Sequence, residues 1–479
     1  MMTRARQRRR LLLHGQSLGT TTRDLDAPPG ESPIATIQEE EWRDWANNLL
    51  PEFVDDISGR LLAADVSEYF GFRAVCRPWR DLTADPHATP LDSRFRPRNW
   101  AALTITPDGS GRTRRNLLNL STAASLGVDL PALSTHWHCH LCAADGLLVL
   151  YHRYTAVIRL VDPLTNVVTE FPPITAAVGS LSRPPEFVSQ CSRGVIFRTI
   201  NGAAFDDSTA PPTLVLCLRG GICNIVVAKP GAAHWTRVDE GDAAYPPFSR
   251  LDRVLFHSLL SMGGRCYVSS PEGSVYLLNL HPFPRLQEVV NQRCLAVPGT
   301  VNNIVSYLIF RDSGGGGTGR MMMVRYWRSM SRLAGVQGYN DRKKDQFTVG
   351  GVTGSIELLE VDLTGRRLLP VRSLGGRSSV FIGSTHCLLI STETFPSIAA
   401  NVIYLGCLLQ RRQRFGVYHI NKVKNRRRTG PPHEFARDVD RGVVPAAHPC
   451  NLDQYLACYV DCKHAFRAAC INHVEHLNH

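Results

Sequence analysis

The sequence predicts a mainly β protein, a β-propeller preceded by a small helical domain. Three observations carry this reading. Short apolar runs of strand length recur from about residue 100 to about residue 420, bounded by Gly, Pro, Asn and Asp. Those roughly 320 residues exceed a single sandwich but suit a propeller at about 40–50 residues per blade. Ahead of them, residues 42–86 carry apolar spacing of helical rather than strand period.

The helical segment reads WRDWANNLLPEFVDDISGRLLAADVSEYFGFRAVCRPWRDLTADP. Pro51 suits a first helical turn, and Glu52, Asp55 and Asp56 lie near its positive end. Val54, Ile57 and Leu61 then form one apolar stripe. Asp65 followed by Glu68 reads as a capping box opening a second helix. Tyr69, Phe72, Val75, Cys76 and Trp79 recur along it at helical spacing, and Pro78 should end or kink it. A module of about 45 residues is marginal alone and gains by docking onto something.

The strand-like runs follow in order: GLLVLYH, AVIRLVDP, GVIFRTI, TLVLCLRGG, NIVVAKPG, GRCYVSSPEGSVYLLNL, GRMMMVRYW, IELLEVDLTG, SVFIG, CLLIST, NVIYLG and FGVYHI. GRCYVSS–PEG–SVYLLNL and IELLEVDLTGRRLLPVRSL read as hairpins within blades. The arm from Asp312 to Phe347, with Gly314 to Gly317 and RKKD, reads as a loop flanking the strand MMMVRYW. The expected organisation is a disordered basic arm over 1–40, helices over 42–86, the propeller over 95–430, and an extension over 431–479 that is helical or disordered.

Composition bounds the function. With 479 residues and 43% hydrophobic side chains there is ample core material. No apolar run reaches the length needed to cross a membrane as a helix. The net charge of +12 is local: Arg4, Arg6, Arg8, Arg9 and Arg10 lie in the first 20 residues, and eight basic residues fall between Arg411 and Arg428. These thirteen exceed the whole excess, so the chain has no global basic field and a nucleic-acid partner is disfavoured. RARQRRR and KVKNRRR (422–428) are candidate nuclear-import or partner-binding tracts. Fourteen irregularly spaced cysteines, without a proper secretory h-region, place the chain in the reduced nucleus and/or cytoplasm.

LPEFVDDISGRLLAADVSEYFGFRAVCRPWR resembles an F-box in its Leu-Pro start, Ile and Leu helix positions, Asp-capped second helix and Val-Cys-Arg-x-Trp-Arg end. It departs from that pattern at Phe53-Val54, where paired leucines are more usual, and at Gly71 inside the second helix. The stretches VIRLVDPLTNVVTEFPP, AAHWTRVDEGD, IELLEVDLTGRRLLPVRSLGGRSSVFIG and ANVIYLG are similar to the plant domain of unknown function 295, a KIB-type β-propeller. The combined resemblance implies a non-catalytic substrate receptor of a Skp–cullin–F-box ubiquitin ligase. Its partners would be a Skp-type adaptor, a cullin through that adaptor, and an unidentified protein target. The adaptor contacts it implies are Leu50, Pro51, Val54, Ile57, Leu61, Val66, Val75, Cys76 and Trp79. The other reading is a propeller interaction module whose F-box has degenerated and no longer recruits a ligase.

Metal and catalytic chemistry find little footing. HWHCHLC (136–142) pairs Cys139 with Cys142 and interleaves three histidines, but zinc sites usually need a second such pair. On a straight strand Cys139 and Cys142 point to opposite faces. The tail holds Cys450, Cys458, Cys462, His464, Cys470, His473, His476 and His479 in no familiar zinc spacing. GGGGTG (314–319) lacks a βαβ context, and GQSLG (15–19) lies in the basic arm rather than between strand and helix. The expectation is no metal, no cofactor and no catalytic residue.

Overall fold

A computed structural model describes residues 45–102, 113–133, 138–152, 154–179, 200–218, 224–239, 258–270, 273–291, 302–311, 319–329, 346–349, 352–382, 387–396, 398–405, 416–420, 435–438 and 442–445. The chain divides into two units, Met1–Leu49 and Leu50–His479. The first contributes one described turn of helix, α1 (Trp45–Asn48). The second contains α2 (Pro51–Ala64), α3 (Val66–Arg73) and α4 (Arg77–Leu82), followed by the propeller.

Six sheets make up the propeller among the described residues. Sheet 1 comprises Trp100–Ala102, Arg114–Asn119 and Ser125–Asp129. Sheet 2 runs as a meander through His138–Ala144, Leu147–His152, Val157–Val161 and Val168–Pro173. Sheet 3 repeats that order with Ile200–Asp206, Thr213–Leu218, Asn224–Ala228 and Thr236–Arg237. Sheet 4 does so with Ser258–Met262, Arg265–Ser269, Val275–Asn279 and Arg285–Val290. Sheet 5 has five strands, of which Asn302–Arg311, Arg320–Ser329 and Val352–Asp362 are the longest. In sheet 6, Ser378–Ile382 lies between Cys387–Ser391 and Val402–Leu405, and its pairing with the latter is parallel.

Face-to-face stacking explains why the strand runs lack polar alternation. In Thr213–Leu218, Leu214, Leu216 and Leu218 enter the core shared with sheet 2, while Val215 and Cys217 enter the core shared with sheet 4. In sheet 5, Met321 and Met323 pack toward sheet 4, and Met322 and Val324 toward sheet 6. Both faces of these two strands are therefore apolar, as expected of a doubly covered sheet. Where inner strands converge, serines bridge them. Leu308 N–H donates to Ser258 Oγ at 3.1 Å, and Ser269 Oγ donates to the Ser306 carbonyl at 2.7 Å. Trp235 closes the outer side of sheets 2 and 3, stacking on Phe171 and donating to the Pro172 carbonyl at 2.8 Å.

Both expected hairpins form: Arg265–Ser269 pairs with Val275–Asn279, and Val352–Asp362 with Arg367–Pro370. Sheet 1 was not legible as apolar runs. Ser125–Asp129 alternates exposed and half-buried positions, and four of the six residues of RRNLLN are polar, so neither shows a continuous apolar signal. Part of the extension after residue 431 is a short antiparallel pair, Phe435–Asp438 with Gly442–Pro445, instead of a helix. The loop residues around 314–317 and the RKKD sequence lie outside the described residues.

Candidate interaction surface

Helix α2 carries two adjacent apolar stripes. Val54 and Ser58 face inward and are buried, Ser58 Oγ donating to the Asp55 carbonyl at 3.0 Å. Phe53 and Ile57, one turn apart, face outward with Leu50 just ahead of them. Leu50 is 58% exposed, Phe53 55%, Ile57 37% and Val75, beyond α3, 63%. Leu82 at the end of α4 is also exposed. An amphipathic helix needs one apolar stripe for its own core. The second stripe on α2 is surplus to the fold and remains on the surface.

The nine residues singled out from the sequence thus separate. Leu50, Pro51, Ile57 and Val75 are exposed, while Leu61, Cys76 and Trp79 are half-buried. Trp79 stacks on Phe72 at 4.6 Å, inside the module. Val54 and Val66 are buried, Val66 against Tyr69 and Phe95. Phe53, seen in the sequence only as a departure, belongs to the exposed stripe. Its spacing from Leu50 and Ile57 was the signal available.

The second helix also differs from expectation. It stops at Arg73, and Pro78 lies in the first turn of α4, where its missing N–H leaves no intrahelical bond unmade. Asp65 caps α3 through Ser67 N–H at 2.8 Å rather than through position 68. Its carboxylate also accepts from Trp100 Nε1 at 3.1 Å and Asn119 Nδ2 at 2.6 Å, both in sheet 1. Arg73 closes the other end of α3, donating to the carbonyls of Thr83 at 2.6 Å and Ala84 at 2.8 Å.

Residues 84–98 form a strap into the propeller rather than a free linker. Pro86, Leu91, Phe95, Arg96 and Pro97 are all buried. Arg96 Nη1 donates to Asp145 Oδ2 at 3.0 Å and Asp207 Oδ2 at 3.2 Å, and Nη2 donates to the Leu91 carbonyl at 2.8 Å. Its guanidinium also lies 3.9 Å from the centre of the Phe205 ring. One cation therefore ties the strap to sheets 2 and 3. Gly146, at φ +85°, admits the strap, because a Cβ there would stand 2.0 Å from the Pro97 carbonyl oxygen. Leu164, in the turn of sheet 2 that Asp162 organises, packs against the Val66–Tyr69–Phe95 cluster. Burial pushes the Asp162 carboxyl above its ordinary value, against hydrogen bonds from Leu164 and Thr165.

The histidine–cysteine segment is not a straight strand. His138 and Cys139 register with His152 and Tyr151, but a bulge between His140 and Cys142 sets Cys142 opposite Val149. The register shift departs from the straight strand that the sequence suggested. Cys142 is buried in the apolar core between sheets 2 and 3. His136 and Trp137 lie outside the described residues, as do the tail cysteines and histidines, GQSLG, and both basic tracts. Among the described residues, no group of three or more His, Cys, Asp or Glu side chains is placed to hold a metal.

Comparison with known proteins agrees with the architecture. No curated protein matches the chain. Among solved structures, the Cps50 (Swd1) β-propeller domain of Myceliophteria thermophila aligns at 9% identity over 60% of this chain and 76% of its own, with a TM-score of 0.26. The WD40 domain of SCAP from fission yeast aligns at 10% identity over 60% of this chain and 65% of its own, with a TM-score of 0.24. The extracellular domain of the BT4673 hybrid two-component system from B. thetaiotaomicron aligns at 8% identity over 67% of this chain and 51% of its own, with a TM-score of 0.20. At these TM-scores the three carry no argument. Residues 99–419, by contrast, match the KIB1-4 beta-propeller family across all six sheets, and the chain belongs to that family.

Proposed function

We propose that this chain is a substrate receptor of a Skp–cullin–F-box ubiquitin ligase, binding a Skp-type adaptor through its helices and a protein target through the propeller. In this reading it performs no chemistry itself. The supporting observation is the surplus apolar stripe of Leu50, Phe53 and Ile57, with Val75 also exposed, beside a helix face on which Val54 is already buried. Desolvating such side chains against a partner is the usual source of interface affinity. The basic tracts at 4–10 and 422–428 fit action in the nucleus as well as the cytoplasm.

The test is a pull-down of the full chain with a plant Skp-type adaptor. The parent binds, and Leu50→Ala with Pro51→Ala weakens capture. Failure to bind any such adaptor overturns the proposal. Gly71, exposed within α3, favours the second reading of a degenerate F-box, since glycine loosens a helix by about 1 kcal/mol. Adaptor capture at ordinary affinity rejects that alternative.

A further inference from the structure

The helices precede the propeller in sequence, but their hydrogen bonding is not closed on itself. A helix N-cap uses one side-chain oxygen to satisfy a first-turn N–H. Asp65 meets that need with Oδ1 toward Ser67 N–H, yet the whole residue is buried, which an isolated cap does not require. The reason is sheet 1. Trp100 and Asn119 are register partners on adjacent antiparallel strands, and their side-chain N–H groups converge on this one carboxylate. Asn119 is oriented for the task. Its Oδ1 accepts from Ser121 N–H at 2.9 Å and Thr122 N–H at 3.0 Å, which leaves Nδ2 facing Asp65.

The apolar contacts run the same way. Val66 and Tyr69 of α3 have Phe95 of the strap as their buried neighbour, with Tyr69 and Phe95 ring centres 5.5 Å apart. Tyr69 Oη donates to the Ala84 carbonyl at 2.7 Å, where the strap begins. Removing sheet 1 and the strap would take two donors from the Asp65 carboxylate and open the α3 core to water. Both the charge-assisted hydrogen bonds and the apolar burial therefore stabilise α3 only in the presence of those elements.

We infer that α3 is an integral part of the first blade, with Asp65 as the coupling residue, so that the helical module holds its fold only on a formed sheet 1. The exposed stripe is then displayed at a fixed orientation, by chains whose first blade has folded. That consequence for partner binding rests on the adaptor proposal; the coupling itself does not.

Hydrogen exchange on the full chain tests it. Asn119→Asp keeps the acceptor for Ser121 and Thr122 but sets a second carboxylate against Asp65. Protection of the amides in α3 and in Arg114–Asn119 should fall together, by at least about tenfold, while sheets 4 and 5 hold the parent level. Adding Asp65→Asn exchanges the donor and acceptor roles while keeping a competent cap, and most of the protection should return. Unchanged α3 protection in Asn119→Asp overturns the inference, as does a double variant no better than the single. Should Asn119→Asp fail to fold, Trp100→Phe removes the indole N–H together with part of the buried ring system and keeps an aromatic ring. It should lower α3 protection about threefold or more, and parent-level protection overturns the coupling. Pull-down with the adaptor is scored separately. Its failure would remove the adaptor proposal and leave the exchange result standing.

Discussion

Arg96→Met is the most informative single perturbation of the strap. The change keeps most of the side-chain stem and deletes a guanidinium that bridges Asp145, Asp207 and the Leu91 carbonyl. Arg98 remains 3.5 Å from Asp145 and 3.9 Å from Asp207, but it is half-exposed and screened by solvent. Removing one member of a buried ionic cluster costs about 3–5 kcal/mol, chiefly because the remaining charges are left unpaired. The two aspartates keep some solvent access, with 14% of each side chain exposed, so about 3 kcal/mol is the appropriate end of that range. Spread over a cooperative unit of several hundred residues, this lowers the melting temperature by roughly 5 °C. Calorimetry and the urea midpoint read it directly. The control carries Asp145→Asn and Asp207→Asn as well, which removes the stranded charges and should recover most of the loss. A melting temperature within about 1 °C of the parent, or a triple variant as unstable as the single, refutes the bridging role.

Other expectations follow from single positions. Gly146→Ala combines a positive φ with a Cβ driven into the strap backbone and should lower the unfolding free energy read from urea melts by roughly 2 kcal/mol or more. Gly71→Ala should do the opposite, because no atom lies within 4 Å of the new Cβ; a gain of about 0.5–1 kcal/mol is expected from thermal melts. Burial raises the Asp162 pKa, so the native state holds this proton more tightly than the unfolded chain. Stability should therefore fall as pH rises from about 4 through the raised native value, a slope that Asp162→Asn removes. Ile57→Asp should abolish adaptor capture without moving the melting temperature, since its side chain is already on the surface. A large fall in stability would place Ile57 in the module's core instead.

Helical spacing in residues 51–73 and recurring short apolar runs such as TLVLCL and MMMV were enough to read helices ahead of a propeller of short strands. These signals are local: backbone period is written in the identities of neighbouring residues. Choices between neighbours were not. Phe53 and Val54 are adjacent apolar residues, and only docking decided that Val54 goes in and Phe53 stays out. The straight-strand expectation for this segment failed on one extra residue, a register shift between His140 and Cys142 that local sequence does not announce.

Asp65 shows the division most clearly. Its role as a helix cap follows from the residues beside it, and Pro51 marks the start of its neighbour in the same way. Its two further donors lie 35 and 54 residues away, and the partners of Arg96 lie 49 and 111 residues away. By itself the sequence determined that helices precede a β-propeller and where most of the apolar strands lie. The tertiary structure decided which apolar stripe is buried, which carboxylates meet which cations and amides, and that the strap is part of the fold. The physical reason is that burial and charge pairing are satisfied by whatever the closed chain brings near, and proximity across a propeller is not recorded in sequence separation.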